Sequence, residues 1–98
     1  MPTRLSEVPI IEEHPKSGMV ELGKDLTLFC KAVGKNLRFT WYKNTKCLIG
    51  ETSDTLHLRK VNMDAAGRYS CLVSNSKDSL LTWAIVDVVS IVSTKKKH

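Results

Sequence analysis

The run Asp64-Ala65-Ala66-Gly67-Arg68-Tyr69-Ser70-Cys71, together with Cys30 and Trp41 upstream of it, decides the fold. Tyr69, Cys71 and Val73 alternate with outward residues, as do Leu26, Leu28 and Cys30, and as do Phe39 and Trp41. Period-2 alternation over short runs marks strands with one buried face. Asp64 to Gly67 reads as a turn in which the aspartate caps local amides and the glycine takes a positive φ. No second carboxylate or histidine is placed beside Asp64 to make it an acid or a metal ligand, so it reads as scaffold.

Cys30, Trp41, Tyr69 and Cys71 stand at spacings that resemble the immunoglobulin superfamily, with Asp64 and Gly67 leading into the second cysteine. The resemblance covers about residues 15 to 90. It implies an all-β fold: an immunoglobulin-like two-sheet antiparallel sandwich of seven to eight strands in a Greek key. It also implies a Cys30–Cys71 disulfide between the sheets, with Trp41 packed over the bridge in a core ~10 Å thick. The Tyr69 hydroxyl is expected to bond the backbone a few residues upstream. Closing so long a loop would contribute about 4 kcal/mol in the chain-entropy model, against roughly 5–15 kcal/mol for a whole domain.

From these anchors the strands can be placed outward. Residues 8–11 read as a first edge strand in which Pro9 is tolerated, 15–18 as a kink, and 19–22 as its continuation on the opposite sheet. Strand B is expected over 26–32, C over 37–44, E over 55–59 with Val61 closing the layer, F over 67–74, and G from 80 towards 92. The short span between Trp41 and Tyr69 leaves no room for the extra strands of a variable-type domain. The pattern looks like the intermediate (I-set) or constant-2 type of adhesion, receptor, muscle and signalling proteins. Cys30-Lys-Ala-Val-Gly34 and Trp41-Tyr-Lys-Asn44 also resemble the immunoglobulin modules of paracaspase-type signalling proteins.

With 98 residues, 42% hydrophobic and 26% charged, the chain is of ordinary globular composition and fits one domain. No apolar run approaches the roughly 18 residues of a membrane span. The N-terminus lacks a signal peptide's apolar segment, which reads as a domain excised from a larger protein. The expected layout is a flexible lead-in over 1–7, the domain over 8–92, and a basic tail over 93–98 that is native or the start of an engineered tag. The odd cysteine, Cys47, is expected as a free thiol in a turn or short edge strand after strand C. It and the lack of an Asn-x-Ser/Thr acceptor lean towards a reducing cytoplasmic setting, where Cys30 and Cys71 stay as thiols; the superfamily at large points to the cell surface.

The net charge is +5, of which Lys95, Lys96 and Lys97 hold a large part. The other cations, among them Lys46, Arg59 and Lys60, are scattered without interleaved aromatics, which reads as a solvated surface and not a nucleic-acid site. A polyanion patch would centre on Lys31, Lys35, Arg38 and Lys43. His14, His57 and His98 have no metal-ligand spacing, and no catalytic set, phosphate loop or carboxylate pair can be assembled. No enzyme activity, cofactor or metal is expected.

Strand G carries the least ordinary feature. Thr82, Ala84, Val86 and Val88 share the parity of the family's inward positions, and Leu81, Trp83 and Ile85 share the other. Tyr42 on C and Leu72 on F fall on the same outer face, where polar residues are usual. Three readings follow: a face that binds a protein partner, a second copy of the chain included; a contact with a neighbouring domain; or a bulge that turns Trp83 inward. The first makes the chain a non-enzymatic protein–protein interaction module acting through the C–F–G sheet. A passive spacer and a polyanion binder are the alternatives, and nothing points to membrane insertion.

Overall fold

Alternating apolar residues assemble into nine strands in the computed structural model, which describes residues 8–90. They are β1 (Ile10–Glu13), β2 (Gly18–Glu21), β3 (Leu26–Phe29), β4 (Lys31–Val33), β5 (Arg38–Lys43), β6 (Lys46–Cys47), β7 (Thr55–Leu58), β8 (Gly67–Ser74) and β9 (Ser79–Val89). One layer is a five-stranded sheet in the order β2-β9-β8-β5-β6, and the other holds the pairs β1-β4 and β3-β7. All pairs are antiparallel except β2 with β9.

The sandwich is the expected one. The strand number exceeds the expected seven or eight because two strands break. The first splits at buried Pro15, which lacks an N–H to donate, so β1 pairs with β4 in one layer and β2 with β9 in the other. Strand B divides at Cys30, whose amide donates to the Asp54 carbonyl at 2.9 Å. The first strand begins at Ile10 instead of Val8: buried Pro9 precedes the pairing. After β5 the chain forms the two-residue β6, and no further strand appears before β7 among the described residues. The lead-in, the tail and the expected end of strand G at Val92 lie outside those residues.

Trp41, Cys30, Cys71, Val73, Ala84 and Val86 are fully enclosed between the layers, with Leu28, Leu56 and Tyr69 beside them. The Trp41 indole N–H donates to the Ser53 carbonyl at 2.8 Å, which fixes the irregular segment before β7. The Ser53 hydroxyl then donates to the Thr55 carbonyl and accepts from the Thr55 N–H, closing part of the outer edge of that strand. Tyr69 donates its hydroxyl to the Ala65 carbonyl at 2.5 Å, the expected corner, and burial pushes its phenol pKa up.

One expectation about this region changes and one holds. Asn62, not Asp64, caps the 3-10 turn Met63–Ala65: its Oδ1 accepts from the Asp64 N–H at 2.9 Å. A cap acts from the residue before the turn, and Asp64 already lies inside it. The Asp64 carbonyl instead accepts from Lys43 Nζ. Gly67 does take a positive φ, +152°. A Cβ there would also come within 3.1 Å of Asn44 Oδ1, which accepts from the Arg68 N–H at 3.1 Å.

The implied disulfide is not formed in this structure. Cys30 and Cys71 meet between the sheets as buried free thiols. Burial pushes both thiol pKa values up, Cys71 to about 12, with the neighbouring Cys30 adding to the rise. The nucleophile in disulfide formation is the thiolate, so the raised pKa values slow oxidation of this pair once the chain is folded.

Candidate functional site

Strand β9 alternates without interruption between the two sides of its sheet. Thr82, Ala84, Val86 and Val88 are buried, while Leu81, Trp83 and Ile85 are 58%, 56% and 43% exposed. The β8–β9 register runs unbroken from Gly67↔Val86 to Ser74↔Ser79, so no bulge turns Trp83 inward. Trp83 faces solvent.

Register places the rest of the face. Across β9, β8, β5 and β6 the rung of Trp83 continues through Ser70, Tyr42 and Cys47. The rung on one side holds Leu81, Leu72 and Thr40, and that on the other holds Ile85 and Arg68. Tyr42, Leu72 and Leu81 thus join Trp83 and Ile85 in one apolar area, as strand parity requires. Tyr42 and Leu72 are half-buried against their neighbours. Next to Trp83 lies a shallow groove of about 270 Å³, lined by Tyr42, Asn44, Arg68, Ser70, Leu72 and Leu81.

Ser70 was not singled out in the sequence. It is only 6% exposed although it sits on the outer side of β8, because Tyr42 and Trp83 flank it on the same rung. Its hydroxyl has no hydrogen-bond partner among the described residues, and neither does the Trp83 indole N–H. A small polar residue directly opposite an exposed tryptophan is the signal that would have found it. Cys47 is an exposed thiol on the short strand β6, opposite Tyr42 and at the end of the Trp83 rung.

The basic residues lie on different elements. Lys31 lies on β4 in one layer, 4.0 Å from a Glu12 carboxylate, whereas Arg38 and Lys43 lie on β5 in the other. Lys43 is engaged with the Asp64 carbonyl. Of the residues read from the sequence as a polyanion patch, Lys31 thus lies on one sheet and Arg38 and Lys43 on the other, with Lys35 in the loop between β4 and β5. His57 projects from β7 and bonds Thr27 Oγ1 at 3.1 Å; His14 Nδ1 meets Thr82 Oγ1 at 2.5 Å; His98 lies outside the described residues. Among the described residues no group of three or more His, Cys, Asp or Glu is placed to hold a metal ion.

A two-layer sandwich with a tryptophan over two facing cysteines and a tyrosine corner defines an immunoglobulin-like domain. The family model described as immunoglobulin domain matches residues 8–75, and the chain belongs to that family. It is 30% identical over 89 residues to HEPACAM family member 2 of Homo sapiens, an overlap of 83% of this chain and 19% of that protein. It is 37% identical over 64 residues to the B-cell receptor CD22 of Mus musculus, covering 63% of this chain and 7% of that one. The chain thus spans less than a fifth of either relative. Among solved structures it superimposes on titin M4 with a TM-score of 0.78 at 23% identity, covering 86% of this chain and 98% of that one, a likeness of fold.

Proposed function

We propose that this immunoglobulin domain is a non-enzymatic protein-interaction module that binds a protein partner through the outer face of its five-stranded sheet, with Trp83 at the centre. One observation carries the reading: Leu81, Trp83 and Ile85 are all exposed in one column of β9, beside Tyr42 and Leu72. The outer face of an antiparallel sheet is ordinarily polar, and a contiguous apolar area there is a usual mark of an interaction site. The mechanism is removal of apolar surface from water around an aromatic anchor. Truncating such an anchor weakens binding by roughly 2–4 kcal/mol. The two relatives are several times longer than this chain, one of them a receptor by name, which supports reading residues 8–92 as one module of a longer protein.

The test is a panel of purified immunoglobulin modules, this chain among them, probed by surface plasmon resonance with the wild-type chain and with Trp83→Ala. The reading predicts at least one binder that the variant loses, with melting temperature and circular dichroism unchanged. A binder held equally well by Trp83→Ala and by Leu81→Ser would refute the face. A panel with no binder would favour the passive spacer, and a Trp83→Ala chain that unfolds would make Trp83 a core residue.

A further inference from the structure

We infer that the partner is a second copy of this chain, and that Trp83 of each copy enters the groove of the other, its indole N–H donating to the Ser70 hydroxyl. The inference rests on the proposal that this face is a binding surface and adds who occupies it.

Knob and hole lie on one face. Trp83 projects from β9, and the groove between Tyr42, Leu72 and Leu81 lies over the adjacent strands β8 and β5. A surface that carries both can pair with itself across a two-fold axis, each half contributing the same two contacts. If the axis runs along the strands and between Trp83 and the groove, the strand order is reversed and the rungs stay in line. Each indole then sits over the Tyr42–Ser70 rung of the other copy.

The unmatched polar groups are complementary as well. Ser70 is almost wholly buried as a residue, yet its hydroxyl still reaches solvent at the groove and has no hydrogen-bond partner among the described residues, and the Trp83 N–H there is a donor with no acceptor. A purely apolar partner would bury both groups unpaired, which opposes binding. The indole of a second copy satisfies both in one bond. The charges agree: the same two-fold carries Asp87, two residues beyond Ile85 on β9, towards Arg68 of the other copy. Neither residue forms an ion pair among the described residues, so the face carries both signs although the chain is +5 overall.

The size fits a weak dimer. Five strands spaced about 4.8 Å apart, with the eight residues of β8 rising about 3.3 Å each, span a face of roughly 24 by 26 Å, on the order of 600 Å². A standard stable interface takes about 800 Å² from each partner.

The experiment is sedimentation equilibrium of the chain from about 10 μM to 1 mM in a Cys47→Ser background, which removes intermolecular thiol pairing. A reversible dimer is expected. Trp83→Ala should raise its dissociation constant by at least about 30-fold. Trp83→Phe and Ser70→Ala should each raise it by about tenfold, and the two together no further, since both remove the same bond. Additive effects of that pair would overturn the Trp83–Ser70 contact. A monomer at every concentration would overturn self-recognition and leave the face to be decided by the module panel. A dimer indifferent to Trp83→Ala would overturn both. His57→Ala, on the other layer, serves as the neutral control.

Discussion

Removing one oxygen atom tests whether the tyrosine corner holds the turn before β8. Tyr69 is 2% exposed, and its hydroxyl donates to the Ala65 carbonyl at 2.5 Å, tying the 3-10 turn to the strand that follows it. Tyr69→Phe keeps the ring and its packing among the core residues, so no cavity larger than a hydroxyl opens. What is lost is a hydrogen bond with a net contribution of about 0.5–1.5 kcal/mol, plus part of the cost of leaving the carbonyl without its partner. Ala65 is only half-buried, so water reaches that carbonyl and the full penalty of about 3 kcal/mol for a sealed acceptor does not apply. The expected loss is about 1–2 kcal/mol. For a domain of this length that is roughly 5–15 °C in melting temperature. Urea denaturation followed by circular dichroism measures it, with an unchanged m-value as the sign that only the native state was altered. Tyr42→Phe is the internal control: its ring lies half-buried on the outer face, and it should change stability by less than about 0.5 kcal/mol. A Tyr69→Phe loss no larger than that of Tyr42→Phe would refute the corner as a stabilising contact.

Asn62→Ala should cost about 1 kcal/mol by removing the cap, while Asp64→Asn should stay within about 0.5 kcal/mol; the reverse order in urea midpoints would restore Asp64 as the capping residue. Gly67→Ala should destabilise by at least about 1 kcal/mol, because a positive φ and the approach of Asn44 both oppose a Cβ, and an unchanged melting temperature would refute this. With the thiols kept reduced, the contribution of the buried cysteines to stability should be constant below pH 9 and fall from pH 9 towards 12. Over that window the unfolded chain releases the Cys71 proton at an ordinary pKa while the folded chain, with its thiol at about 12, retains it. Urea midpoints at pH 8 and 10.5 measure the fall, and Cys71→Ala should lessen it; an identical slope in that variant would show that other groups govern the alkaline limit.

The layers of this protein were legible because alternation is a local property. Once Tyr69, Cys71 and Val73 are inward, Ser70 and Leu72 must face outward, and the same logic placed Leu81, Trp83 and Ile85 on the solvent side of β9. The switch of the first strand between layers at Pro15 was legible too, from the kink that proline imposes, whereas the break of strand B at Cys30 was not, since it depends on which distant strand competes for the backbone. The cap was misplaced by two residues because Asn62 and Asp64 are equally good capping types, and only the turn's position chooses between them.

By itself, then, the order of residues determined the sandwich, the inward Cys30, Trp41 and Cys71, and an apolar outer face, all through period-2 patterning and a few constrained spacings. The tertiary structure decided what touches what. It set Ser70 beneath Tyr42 and Trp83, placed Cys47 at the end of their rung, and put Lys31 on one sheet with Arg38 and Lys43 on the other. It also enclosed two thiols that stay protonated. These outcomes depend on register between strands far apart in the chain. A residue's parity says which way its side chain points, but only the paired backbone says what lies beside it.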